Sequence, residues 1–142
     1  MENSTPFISP ATLATHSLLT RLLALAYVDQ EVDLREVELI YSIALERGVS
    51  KEMLESIMLR PHAVSTTLPS TPHERVSHLY DLARLILADG IIKVEERTML
   101  RRSVLLYEFD EENADGIVDF LLEQAEAGAA PAQVVQVVQE SL

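Results

Sequence analysis

The sequence predicts an all-α fold: one compact domain of about seven helices, built from two related three-helix repeats plus a C-terminal helix. Three observations carry this. Apolar residues recur at steps of three and four, as at Leu18, Leu22, Leu25 and Ala26, or Leu79, Leu82, Ala83 and Ile86, which places them on one helical face. Helix-start signals precede such stretches at Ser9-Pro10, Asp33, Ser50, Thr71-Pro72 and Asp110. The chain also repeats itself at an offset of sixty residues, with Leu19/Leu79, Leu22/Leu82, Leu25/Leu85, Asp29/Asp89, Glu36/Glu96, Leu45/Leu105, Glu52/Glu112 and Ile57/Ile117 identical. A three-helix unit duplicated once is too short to be a solenoid.

In chain order, Pro10 opens a first helix that the apolar pattern carries to about Val28. Asp33 and Glu36 form a capping box for a second helix, with Val37, Ile40, Tyr41 and Ala44 inward and Gly48 as terminator. Ser50 caps a short third helix through Met53, Leu54, Ile57 and Met58. This first repeat covers about residues 10–59. Residues 60–71 read as a linker, with Pro61 and Pro69 around an aperiodic Ser-Thr-Thr run. Thr71-Pro72-His73-Glu74 then starts a fourth helix that buries Val76, Leu79, Leu82, Ala83 and Ile86. A fifth, from about Val94, turns Leu100, Val104 and Tyr107 inward, and Asp110 caps a sixth through Ile117, Phe120 and Leu121. This second repeat covers about residues 72–127. A seventh helix, about 131–142, carries Val134, Val135, Val137 and Val138 on one side. Valine favours strands, but these pairs lie three apart and do not alternate.

Composition bounds function. The 142 residues carry a net charge of −12, which argues against nucleic acid, whose phosphates need Lys and Arg, and against an anionic membrane surface. Metal cations and basic protein surfaces fit that charge. With no cysteine, disulfides, thiolate metal sites and thiol redox chemistry are excluded. The N-terminus has no basic segment leading into an apolar one, and the run Leu22 to Val28 is too short to span a bilayer, so the expected location is the cytoplasm. No Lys or Arg follows Arg102, whereas eight acids lie between Glu108 and Glu126. A solvated helix face is the usual reason for such a run, and a surface for a basic partner is the functional alternative.

The residues with the most chemical interest lie in the two matching inter-helix loops. Asp29 and Asp89 each end an apolar helix, at the negative end of its dipole, where a carboxylate is disfavoured by roughly 0.3–1 kcal/mol. A bound cation would compensate, held by Asp29, Glu31, Asp33 and Glu36 in one loop and Asp89, Glu95 and Glu96 in the other. Oxygen-only ligation suits Ca²⁺, Mg²⁺ or Mn²⁺. Turn formation and helix capping by the same side chains is the commoner explanation. These are not EF-hands, which need acids at alternating positions and Gly at the sixth. Enzyme motifs are poor: His73 and His78 are five apart, about 140° around a helix, so they cannot share a metal as an i,i+4 pair does. The four glycines form no phosphate loop.

Ala88-Asp89-Gly90 followed by Glu96, with the weaker copy Val28-Asp29-Gln30 followed by Glu36, resembles the TerB-like family, named for a tellurite-resistance protein. The resemblance spans about residues 18–122. Gln30 replaces the usual Gly, and Lys93 puts a positive charge where the family often has a small or acidic residue. The resemblance implies a compact fold of about seven helices, acidic inter-helix loops with proposed metal binding, and accessory work in tellurite and other stress resistance. A chain without thiols would act there indirectly. Two functional expectations follow: a non-enzymatic, cation-binding accessory or sensor domain, or a metal-free helical adaptor that meets protein partners through its acidic last third or its valine helix.

Overall fold

The computed structural model describes residues 10–26, 33–59, 67–88 and 90–141. Those residues form seven helices and no strand: α1 (Pro10–Ala26), α2 (Leu34–Glu46), α3 (Lys51–Leu59), α4 (Pro72–Ile86), α5 (Val94–Leu106), α6 (Glu111–Glu126) and α7 (Pro131–Ser141). Corresponding elements keep the sixty-residue offset: α1 and α4 end at Ala26 and Ile86, α2 and α5 start at Leu34 and Val94, and α3 and α6 start at Lys51 and Glu111. Within each half the three helices pack on one another, and the α1–α4 contact joins the halves.

Helix α4 is the axis of the molecule. It touches α1, α2, α5, α6 and α7. The apolar pattern predicted one buried face, but neighbours on every side bury nine of its residues, including His78, Tyr80 and Asp81. A helix so enclosed has no solvent face on which to place its polar side chains.

The starts of the helices follow local chemistry. The Asp33 side chain accepts from Arg35 N–H at 2.7 Å, and Glu36 Oε1 accepts from Asp33 N–H at 3.1 Å, so the second helix opens as the sequence predicts. Ser50 Oγ accepts from Met53 N–H and Thr71 Oγ1 from Glu74 N–H. Asp110 stands at the cap position of α6, but its side chain makes no cap bond. Gly48 ends α2 in the left-handed region at φ 78°. Its counterpart sixty residues on is Glu108, at φ 70°. A non-glycine residue there costs roughly 1–2 kcal/mol. Arg75 offsets that cost, because its Nη1 donates both to Glu108 Oε1 at 2.9 Å and to the Tyr107 carbonyl at 3.2 Å.

Some inward assignments shift by a residue. In α2 the buried set is Glu36, Ile40, Ile43 and Ala44, while Val37 and Tyr41 are half-buried at its edge. Met53 and Met58 of α3 are exposed, leaving Leu54 and Ile57 to face the core. In α6, Ala114, Val118, Leu121 and Leu122 are buried, and Ile117 and Phe120 flank them. Of the four C-terminal valines only Val134 is fully buried, and Val137 is exposed. An eleven-residue helix resting on one neighbour can bury only a narrow stripe.

Helix α7 packs against α4. The Tyr80 hydroxyl reaches past α4 to donate to the Ala129 carbonyl just before α7 begins. This helix is therefore part of the domain's own packing. Deleting residues 131–142 is expected to cost about 2 kcal/mol from the exposure around Val134 alone. The melting temperature should fall by several degrees. Unchanged stability together with a change from dimer to monomer in a sedimentation experiment would instead make α7 an intermolecular contact.

Candidate functional site

Of the residues assigned to the two loops, Asp29, Glu31 and Asp89 lie outside the described residues. The others fall at the starts of α2 and α5. Asp33 is drawn into a two-point ion pair with Arg35, Nε to Oδ1 at 3.1 Å and Nη2 to Oδ2 at 3.0 Å. The side-chain and backbone bonds from Arg35 hold the Asp33 carboxyl below the usual carboxylate range, and Lys93 adds a weaker pull.

Glu36 and Glu96 occupy matching positions and are both 3% exposed. Each turns Oε1 back onto a backbone N–H, of Asp33 at 3.1 Å and of Lys93 at 3.2 Å. Glu96 thus does have a capping role, although Lys93 has no acceptor to return the bond. Glu95 is exposed on the outer side of α5. Among the described residues no three His, Asp or Glu side chains converge as a metal ligand set. Of the described carboxylates, Asp33 is paired with Arg35, and Glu36 and Glu96 bond backbone N–H groups at the helix starts. Leu34 and Val94, the first residues of α2 and α5, are 70% and 79% exposed beside them.

A second polar cluster, absent from the sequence reading, lies inside the molecule. Asp81 is 1% exposed near the middle of α4. Its Oδ2 accepts from Arg47 Nε at 2.8 Å, and its Oδ1 accepts from Arg84 Nη1 at 3.1 Å. Arg47 Nη2 donates to Ser77 Oγ at 2.9 Å, and Arg84 goes on to both oxygens of Glu46 at 3.0 and 3.2 Å. Burial pushes the Asp81 carboxyl upward and the two guanidiniums pull against it. Beside this network His78 Nδ1 lies 3.1 Å from the Tyr107 hydroxyl, which accepts from Arg21 Nη1 at 3.0 Å. Burial first, then the charges of Arg47 and Arg21, press the His78 pKa down to about 3. The ring is thus neutral at physiological pH.

Arg21, Arg47, Ser77, His78, Asp81, Arg84 and Tyr107 therefore meet from α1, α2, α4 and the end of α5. One signal in the sequence pointed to them: Asp81 and Arg84 interrupt the run Leu79-Tyr80-Asp81-Leu82-Ala83-Arg84-Leu85, which is otherwise apolar all round. Their partners from other helices left no such mark. His73, by contrast, is only half-buried, which agrees with the different helical faces expected of His73 and His78.

The class this defines is an all-α domain whose helices pack around one central helix that carries a buried aspartate held by two arginines. No protein-family model, curated protein or solved structure matches the chain. The resemblance to TerB-like proteins accordingly rests on the loop motif alone.

Two tests address the cluster. Asp81→Asn removes the buried charge that Arg47 and Arg84, themselves 17% and 19% exposed, bond to, and breaking such a pair costs about 3 kcal/mol. The same change at Asp119, in an exposed pair with Arg97, should cost under about 1 kcal/mol. Urea unfolding of both variants decides, and equal effects would mean the cluster is not buried as described. For His78 the folded pKa lies below the unfolded 6.5, so the unfolded chain binds the proton more readily. Its contribution is whole above pH 6.5 and is lost as pH falls toward 3. His78→Gln should therefore remove about 1.4 kcal/mol per pH unit of acid sensitivity between pH 6 and 4.5. Parallel stability curves for the two proteins would contradict this.

Proposed function

We propose that this chain is a non-enzymatic accessory domain of the TerB-like kind that works by docking a basic protein surface onto the acidic face of α6. The observation that carries this is the imbalance of charge along that helix. Glu111, Glu112, Asp115, Asp119, Glu123 and Glu126 are all exposed. Only Asp115 and Asp119 are offset within the domain, by Arg101 at 3.0 Å and by Arg97. Among the described residues, Glu111, Glu112, Glu123 and Glu126 form no ion pair. Carboxylates left unpaired along one face repel each other, and a partner rich in Lys and Arg relieves that repulsion and is steered in from a distance. A place in tellurite or other stress resistance comes from the loop motif and belongs to the same proposal, as does a cytoplasmic setting. No helix among the described residues is long and apolar enough to cross a membrane.

A second reading keeps the divalent cation. It is favoured by the recurrence of the same acids in both loops, Asp29 and Asp89, Glu36 and Glu96, at one sixty-residue offset. Ca²⁺, Mg²⁺ or Mn²⁺ held by these loops would make the domain a sensor.

The two readings separate in one set of measurements. Binding of a Lys- and Arg-rich peptide should weaken at least tenfold when Glu112, Glu123 and Glu126 are changed to Lys, and much less when Glu38, Glu52 and Glu55 are. Equal weakening would reduce the effect to net charge and sink the α6 docking face. For the cation, a hundredfold excess over the dissociation constant stabilises by about 2.7 kcal/mol. A melting shift beyond that of monovalent salt at equal ionic strength, lost in Asp29→Asn or Asp89→Asn, would support the sensor reading. No such shift would remove it.

A further inference from the structure

A cavity of about 520 Å3 opens between α1, the C-terminal end of α2, the segment 67–71 and the start of α4. His78 lines it, although the residue as a whole is only 1% exposed. The hydrogen bonds around the ring assign its tautomer. A guanidinium only donates, so the Tyr107 oxygen accepts from Arg21 and the phenol proton is directed to the one acceptor at hand, His78 Nδ1. A neutral imidazole that accepts at Nδ1 carries its proton on Nε2. Among the described residues that Nε2–H has no hydrogen-bond partner, and because His78 lines the cavity the donor is open to whatever enters it.

The surroundings say what kind of group. Arg47 also lines the cavity, and its Nε and Nη2 are committed to Asp81 and Ser77, which leaves Nη1 unspent. The charges of Arg47 and Arg21 both act on the ring and make this spot attractive to a negative oxygen. The opposite charge waits at the mouth. Glu74 lies one turn before His78 on the same face of α4, about 6 Å along the axis, and is exposed with no ion-pair partner among the described residues. Glu46, the other lining carboxylate, is already held by Arg84 through both oxygens. Leu68 and Pro69 give the cavity an apolar wall.

Donors at the floor, a carboxylate at the mouth and an apolar wall between them match a small zwitterion. We propose that this cavity binds a free α-amino acid, its carboxylate on His78 Nε2–H and Arg47 Nη1, its ammonium toward Glu74 and its side chain along Leu68 and Pro69. The site is separate from the α6 face and stands or falls independently of any docking there.

The test is calorimetric titration of the full chain with each of the twenty amino acids. Each is paired with the carboxylic acid that lacks its amine and the amine that lacks its carboxylate. At least one amino acid should bind with one-to-one stoichiometry, its acid analogue at least tenfold more weakly, and its amine analogue not at all. Ser70→Trp, a change at an exposed position on the rim, should abolish binding. Glu74→Gln should weaken the amino acid about tenfold and leave the acid analogue unchanged. His78→Leu should lose binding, and His78→Gln, which can present an N–H in the same place, should recover part of it. If circular dichroism shows that the His78 variants do not fold, Ser70→Trp and Glu74→Gln decide. No binding of any amino acid at millimolar concentration overturns the proposal. So does binding that survives Ser70→Trp, or an amine analogue that binds as well as its amino acid.

Discussion

One carboxylate governs how this domain is put together. Asp81 lies at 1% exposure on a helix that is enclosed by five others. A charge in that position is unfavourable by several kcal/mol unless its lone pairs are met by ionic donors. Arg47 meets one oxygen from the end of α2 and Arg84 meets the other from α4 itself. The first of these bonds crosses between the two halves of the molecule, and Arg84 continues to Glu46 on the same foreign helix. The contacts of α1 and α2 with α4 join the halves, and the Arg47–Asp81–Arg84–Glu46 chain adds directional bonds across the same boundary.

The same cluster shapes the space beside it. Because Arg47 is held against Asp81 and Ser77, it stands at the edge of the cavity without collapsing into it. Tyr107 arrives from the end of α5 and turns the His78 ring, while Arg21 from α1 orients Tyr107 and stacks over it at 5.0 Å from the ring centroid. Three helices thus combine to set one imidazole. Arg75 completes the frame. Its Nε holds the Pro69 carbonyl at 2.9 Å, and its Nη1 holds the end of α5, so the linker segment that walls the cavity is tied to the second repeat.

The two halves share a sixty-residue offset and also differ along it. The starts of α2 and α5, and of α3 and α6, coincide at the sixty-residue offset, whereas α1 starts at Pro10 and α4 at Pro72, and Glu36 and Glu96 make the same backward bond. The differences lie where only one copy has a particular neighbour. Lys93 stands where the first half has Asp33 and makes no side-chain cap bond, so one half of the capping box is missing there. Gly48 became Glu108, a strained position that Arg75 can stabilise only in the second copy. Ala26 and Ile86 end equivalent helices, yet only α4 carries a charged core, because it alone is surrounded on all sides.

The sequence by itself determined what depends on near neighbours. Helix number, helix starts and the repeat offset follow from spacing, caps and proline placement, which act within one or two turns. It also marked most of the core, because an apolar residue at the right period is buried whatever covers it. It misjudged edges, such as Tyr41, Met53 and Val137, since the width of a buried stripe depends on the size of the partner helix. The acidic loops stood out in the sequence because their residues are adjacent in it. The His78–Arg47–Glu74 cavity did not, although each residue is plainly visible. Arg47 and His78 are brought together only when α2 packs on α4, and Tyr107 only when α5 does. What His78 can bind is decided by groups far from it in the chain, and only tertiary structure supplies those.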